Sequence, residues 1–220
     1  MTKSFRFLME YLRINLGASL AFAGVVTVGA LLTDVHLGRG GIFVTYYGSF
    51  PLMTLMMLFL FATGYASANL QLALSFGARR RDYFWALLGA LLLSSLVCTA
   101  LQMGMAALPE MAGWRNPQAW NRLLTMGTNA LLSYPFLCLS LQLLGALSGV
   151  FMARSRVLGV VLLFISILLG IASVVLLLMF GNDQFVLWGD LPTALFGIFL
   201  LCDTLCLWYL HRYIGRSVVR

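Results

Sequence analysis

The sequence predicts an all-α integral membrane protein. It should have six transmembrane helices, an N-terminal amphipathic interfacial helix and a cytoplasmic connecting helix between helices two and three. Three observations lead there. Of 220 residues, 61% are hydrophobic and 10% are charged, where a soluble domain carries about 25% charged residues. Runs long enough to cross the hydrocarbon, roughly 20 apolar residues at 1.5 Å each, occur six times. The basic residues gather in the segments on one side of those runs.

Residues 1–15 mix Lys3, Arg6, Glu10 and Arg13 with Phe5, Phe7, Leu8, Tyr11, Leu12 and Ile14. The apolar positions recur at helical spacing, so the segment reads as an amphipathic helix on the inner leaflet. It flows into the first run with no cleavage-site pattern, unlike a signal peptide. The runs lie near 16–33, 49–73, 85–107, 124–152, 157–180 and 191–210, one domain over 1–220. Pro135, near the middle of the long fourth run, predicts a kink.

Charge sets the orientation. Six spans put both termini on one side, and eleven of the 14 basic residues fall there: Lys3, Arg6, Arg13, Arg79, Arg80, Arg81, Arg154, Arg156, Arg212, Arg216 and Arg220. Arg39, Arg115 and Arg122 fall on the other. The positive-inside rule then predicts a multi-pass protein of the cell membrane, bacterial inner or plasma membrane, with both termini cytoplasmic. The net charge of +7 follows from topology, because the arginines are divided among separate membrane-flanking segments. Nucleic-acid binding is not expected.

The outer connections, 34–48, 108–123 and 181–190, are short and hold Asp34, Glu110, Asp183 and Asp190. Tyr46, Tyr47, Trp114, Trp120 and Trp188 lie near outer boundaries and read as interfacial anchors. Cys98, Cys138, Cys202 and Cys206 all fall within runs, which predicts free thiols packed as small hydrophobes.

Enzyme chemistry finds no foothold. His36 and His211 fall on opposite membrane faces, so no metal site joins them. A Walker A sequence is absent, so any ATP must bind another chain. Ser148 in Gly145-Ala146-Leu147-Ser148-Gly149 does not meet the pattern of an intramembrane serine protease. Gly145 and Gly149 read instead as a small-xxx-small helix contact. Asn69, Gln71, Gln102, Asn129 and Gln142 are amides suited to interhelical hydrogen bonds. Asp203, midway along run six, must face a bundle interior or a polar cavity. Contact with a translocated substrate and a structural bond to a neighbouring span are both open to it.

The segment Phe76-Gly77-Ala78-Arg79-Arg80-Arg81-Asp82-Tyr83-Phe84 stands out between runs two and three. Three arginines cannot sit in hydrocarbon, so the segment lies at a membrane surface. Its flanking aromatics suit a short helix that docks onto something soluble. With the N-terminal amphipathic helix, six spans and both termini inside, it resembles the coupling helix of membrane subunits of ABC exporters of the ABC-2-type permease class. The closing Leu207-Trp208-Tyr209-Leu210-His211-Arg212-Tyr213 is similar to the exit of that family's last span.

The resemblance implies a transport subunit without its own ATPase site. It would form the translocation pathway as a dimer, with a second copy or a related permease, among membrane lipids. ATP and Mg would bind a partner ABC ATPase subunit. Phe76, Gly77, Arg79, Arg80, Arg81, Asp82, Tyr83 and Phe84 would couple the two, with Phe76, Tyr83 and Phe84 as buried anchors. A re-entrant segment before the last span, common in the family, has little room in 181–190 unless run six bends at Pro192. Two other classes fit the size of the chain. One is the substrate-binding membrane component of an energy-coupling-factor vitamin importer, suggested by Gly17, Ala18, Ala21, Ala23 and Gly24 in span one. The other is a non-transporting immunity or scaffold protein.

Overall fold

The computed structural model describes residues 2–37, 42–114, 127–180 and 191–216. Eight helices occupy them: α1 (Thr2–Leu37), α2 (Ile42–Gly48), α3 (Phe50–Ala66), α4 (Ala68–Ser75), α5 (Arg80–Met111), α6 (Gly127–Arg154), α7 (Arg156–Phe180) and α8 (Leu191–Arg216). No strand occurs among the described residues. Among the described residues, four stretches are long and apolar enough to cross a membrane: Phe5–Leu32, Phe50–Ser75, Arg80–Met111 and Tyr134–Ala153. The protein is therefore all-helical and membrane-embedded in character. Helices α7 and α8 occupy the fifth and sixth predicted runs.

The separate amphipathic helix over 1–15 is not found. Residues 2–37 form one helix, because no proline or turn chemistry interrupts them near residue 15. Leu8 and Leu12 do not enter a leaflet; they are fully buried in the protein core. The buried face of α1 continues through Ser19, Ala23, Val26 and Ala30 at helical spacing, while Gly17, Leu20, Gly24, Val25 and Val28 face outward.

Span two breaks at Ser67, an interruption the sequence reading did not foresee. Ser67 has φ −101° and ψ −87° between α3 and α4. Its hydroxyl donates to the Thr63 carbonyl at 2.8 Å, the same oxygen that its own N–H reaches at 3.1 Å. Such back-bonding draws a helix off its axis. By contrast, α6 continues through Pro135, whose carbonyl accepts a 2.7 Å hydrogen bond from Ser95 of α5.

Helix α6 is the hub, packed against α3, α5, α7 and α8. Glycine makes the closest approach possible. A Cβ on Gly145 would lie 2.5 Å from the Phe59 carbonyl oxygen, and one on Gly149 would overlap the carbonyl oxygen of Thr63. The small-xxx-small reading of Gly145 and Gly149 is therefore the observed α3–α6 contact. Without a hydrophobic driving force between helices in lipid, such tight packing is what holds them together. One residue, Ser155, separates α6 from α7, and Gly159 lies against the Met152 backbone where a Cβ would overlap it. Only Gly159, Ser166 and Gly170 of α7 between Val157 and Ala172 are buried, so most of that stretch faces outward.

Three core layers follow the bundle. Leu8, Tyr65, Tyr83, Leu87, Leu143 and Leu210 build one end. Leu55, Cys98, Tyr134 and Cys138 lie in the second, and Ala30, Tyr47, Phe50, Met105 and Trp114 in the third. Tyr47 and Trp114 are therefore core residues, 3% and 7% exposed, and not lipid-facing anchors. Their rings meet at 5.4 Å, and the Tyr47 hydroxyl donates to the Met105 carbonyl. Tyr46 is exposed as expected, while Trp120, Trp188 and the connection 181–190 lie outside the described residues.

Candidate functional site

The basic segment is a tight turn between two helices. Helix α4 ends in a Schellman motif: the Gly77 N–H donates to the Leu74 carbonyl at 3.1 Å and the Ala78 N–H to the Ala73 carbonyl at 3.0 Å. Gly77 has φ +78°, the left-handed conformation the motif needs, and it favours glycine there. Ala78 packs on the core cluster that contains Ala73, completing the usual apolar contact. Arg79 is extended and stands at the N-cap of α5, and its carbonyl accepts the Tyr83 N–H at 2.9 Å. Asp82 lies in the first turn, where a carboxylate complements the helix dipole.

No separate helix stands between the second and third runs. The Gly77 stop and the Arg79 start leave four residues, 76–79, which is too few for one. Arg80, Arg81, Asp82, Tyr83 and Phe84 belong to α5 itself.

The aromatics divide in a way the sequence reading missed. Phe76 is 79% exposed, at the tip of the turn. Tyr83 and Phe84, expected as docking anchors, are buried inside the protein. The Tyr83 hydroxyl donates to the Tyr65 carbonyl at 2.6 Å. Phe84 meets the His211 ring edge-on at 4.9 Å, which ties the start of α5 to the end of α8. Arg79 and Arg81 are exposed, whereas Arg80 is half-buried. A partner meeting this turn would thus touch Phe76, Arg79 and Arg81, with Tyr83 and Phe84 forming the root beneath.

A second polar group lies inside the bundle. Asn15 of α1 donates to the Tyr65 hydroxyl at 2.6 Å. Ser94 of α5 lies 2.6 Å from Gln142 Oε1 and 2.9 Å from the Leu91 carbonyl oxygen. One hydroxyl proton serves only one of these acceptors. Turning the Gln142 amide over lets Nε2 donate to Ser94 while Ser94 donates to Leu91, and this satisfies more groups. These residues, with Ser19, line a cavity of about 10 Å³, the space of a single water. Of the five amides expected to bridge helices, Gln142 does so with Ser94. Asn69 and Gln102 are buried, Gln71 is exposed, and the Asn129 side chain lies outside the described residues. Asn15 escaped the sequence reading because it was assigned to a surface helix.

Asp203 is 8% exposed on the face of α8 toward α6. Its carboxylate lies beside Ser140, yet neither Asp203 Oδ1 nor Ser140 Oγ has a hydrogen-bond partner. A hydrogen bond between the two side chains would satisfy groups whose isolation in the α6–α8 seam is costly. Asp203 precedes His211 by eight residues, about 12 Å along the helix, and so stands apart from the basic turn.

No family model matches the chain, and no curated protein or solved structure is significantly similar to it.

Proposed function

We propose that this chain is the membrane subunit of an ATP-driven exporter of the ABC-2-type class, with six spans and both termini in the cytoplasm. One observation carries the reading. The turn between the second and third runs exposes Phe76, Arg79 and Arg81 at its tip and is rooted in the bundle by Tyr83 and Phe84. A coupling element needs both properties. The tip must be free to seat in an ATPase subunit, where aromatic and arginine side chains commonly dominate interface energetics. The root must be stiff, so that displacement of the turn moves α3, α5 and α8 together. ATP and Mg would be held by the partner, and this chain would supply the path. Asp203 and Ser140 would meet the polar part of an amphipathic cargo crossing beside α6 and α8.

A second reading retains one observation. Gly17 and Gly24 lie on the outward face of α1, and a Cβ at either would meet nothing within 4 Å. That open face suits another membrane chain, as in an energy-coupling-factor receptor or in an exporter dimer. Co-purification in mild detergent with an ATPase encoded beside it separates the readings. The exporter reading predicts a stable complex that Phe76→Ala weakens. A complex indifferent to Phe76, or bound vitamin in the purified chain, would favour the receptor.

A further inference from the structure

We propose that the corner between the start of α5 and the end of α8 binds the headgroup of an anionic phospholipid, clamped by Arg81 and Arg212 above Trp85 and Trp208. On α5, Arg81 and Trp85 stand one turn apart and both are exposed. On α8, Trp208 and Arg212 repeat the spacing in reverse order, and the Arg212 guanidinium lies 5.3 Å from the Trp208 ring centroid. The ring contact between Phe84 and His211, the neighbours of Trp85 and Arg212 in the chain, brings the two helices together at the level of these pairs.

The reversal is what gives the pairs a common sense. Helix α5 leaves the basic turn, whereas α8 approaches its end. Each arginine therefore lies about 6 Å along the axis from its tryptophan, toward the end of the bundle that carries the basic turn. This order matches a bilayer: indole rings settle at the interface, and guanidinium groups reach the phosphate. Two arginine forks can take a phosphate bidentately, and His211 stands beside them. Arg81 and Arg212 outweigh Asp82, the one acid in the first turn of α5. A net-anionic headgroup is thus preferred over a zwitterionic one, as in other basic pockets between membrane helices. The inference needs only membrane embedding, and it shares Arg81 with the exporter reading, in which that side chain borders the ATPase contact.

The test uses the full chain in phosphatidylcholine nanodiscs doped with brominated phosphatidylglycerol, or with brominated phosphatidylcholine as control, and follows tryptophan quenching. Half-quenching is expected at a several-fold lower mole fraction for phosphatidylglycerol. Arg81→Gln with Arg212→Gln should raise that fraction by roughly 25-fold, about fivefold for each arginine near the surface, without moving the phosphatidylcholine curve. Arg79→Gln, exposed but outside the clamp, should move it clearly less than either clamp arginine does. The single Arg212→Gln variant, expected to cost about fivefold, serves if the double variant does not fold. Coincident curves for the two lipids, or an Arg79→Gln effect equal to that of the clamp variants, would overturn the site. So would an unchanged phosphatidylglycerol curve in the clamp variant accompanied by loss of a protein partner.

Discussion

The Tyr83 hydroxyl donates a 2.6 Å hydrogen bond to the main-chain carbonyl of Tyr65, pinning the first turn of α5 to the last turn of α3. Tyr83 is fully buried and Tyr65 nearly so. The bond stiffens the base of the turn that exposes Phe76. Tyr83→Phe keeps the ring and removes the donor, so it should cost about 1 kcal/mol. Thermal unfolding in detergent measures it. An unchanged melting temperature would mean the bond does not hold the turn.

Glycine on the two faces of the bundle should respond oppositely. Gly149→Ala drives a methyl group into the Thr63 carbonyl and should cost about 1–3 kcal/mol. Gly24→Ala meets open space in a helix interior and should stabilise by up to about 1 kcal/mol. Melting of the two variants side by side checks this, and equal losses would contradict the observed α3–α6 seam.

Thiol accessibility checks the core layers. Cys98 and Cys138 are fully buried, whereas Cys202 is exposed on α8. In intact cells, a membrane-impermeant maleimide should leave Cys98 and Cys138 unlabelled in variants retaining one thiol each. Rapid labelling of either would overturn their placement.

Asp203→Asn preserves the shape of the side chain and its capacity to hydrogen-bond at the α6–α8 seam but removes the ionisable group. The expected outcome is a transport defect at near-normal abundance, read as the ratio of substrate export to membrane-inserted protein. Loss of abundance alone would make Asp203 a structural residue.

Much of this architecture was legible in the residues. Charge content and run length announced a helical membrane protein, and Gly145 and Gly149 announced a close helix contact. Other features depended on tertiary packing. The helical periodicity of Phe5 to Ile14 marks an apolar face but not whether lipid or protein covers it; Leu8 and Leu12 meet protein. Aromatics after a basic run look like docking anchors, yet Tyr83 and Phe84 point inward because Tyr65 and His211 receive them. Tyr47 and Trp114 sat at plausible interfacial positions and proved to be core for the same reason. The Ser67 break turns on one side-chain hydroxyl choosing the Thr63 carbonyl, a local competition that hydropathy does not register.

ATP turnover by the proposed complex with an ABC ATPase tests the central claim most directly. It should be compared between the native chain and a variant carrying Phe76→Ala, Arg79→Glu and Arg81→Glu. Coupling through the turn predicts that the variant inserts and folds normally but neither holds the ATPase nor supports transport-linked turnover. Unchanged association and turnover would contradict the account and leave residues 76–81 as a basic membrane-surface turn.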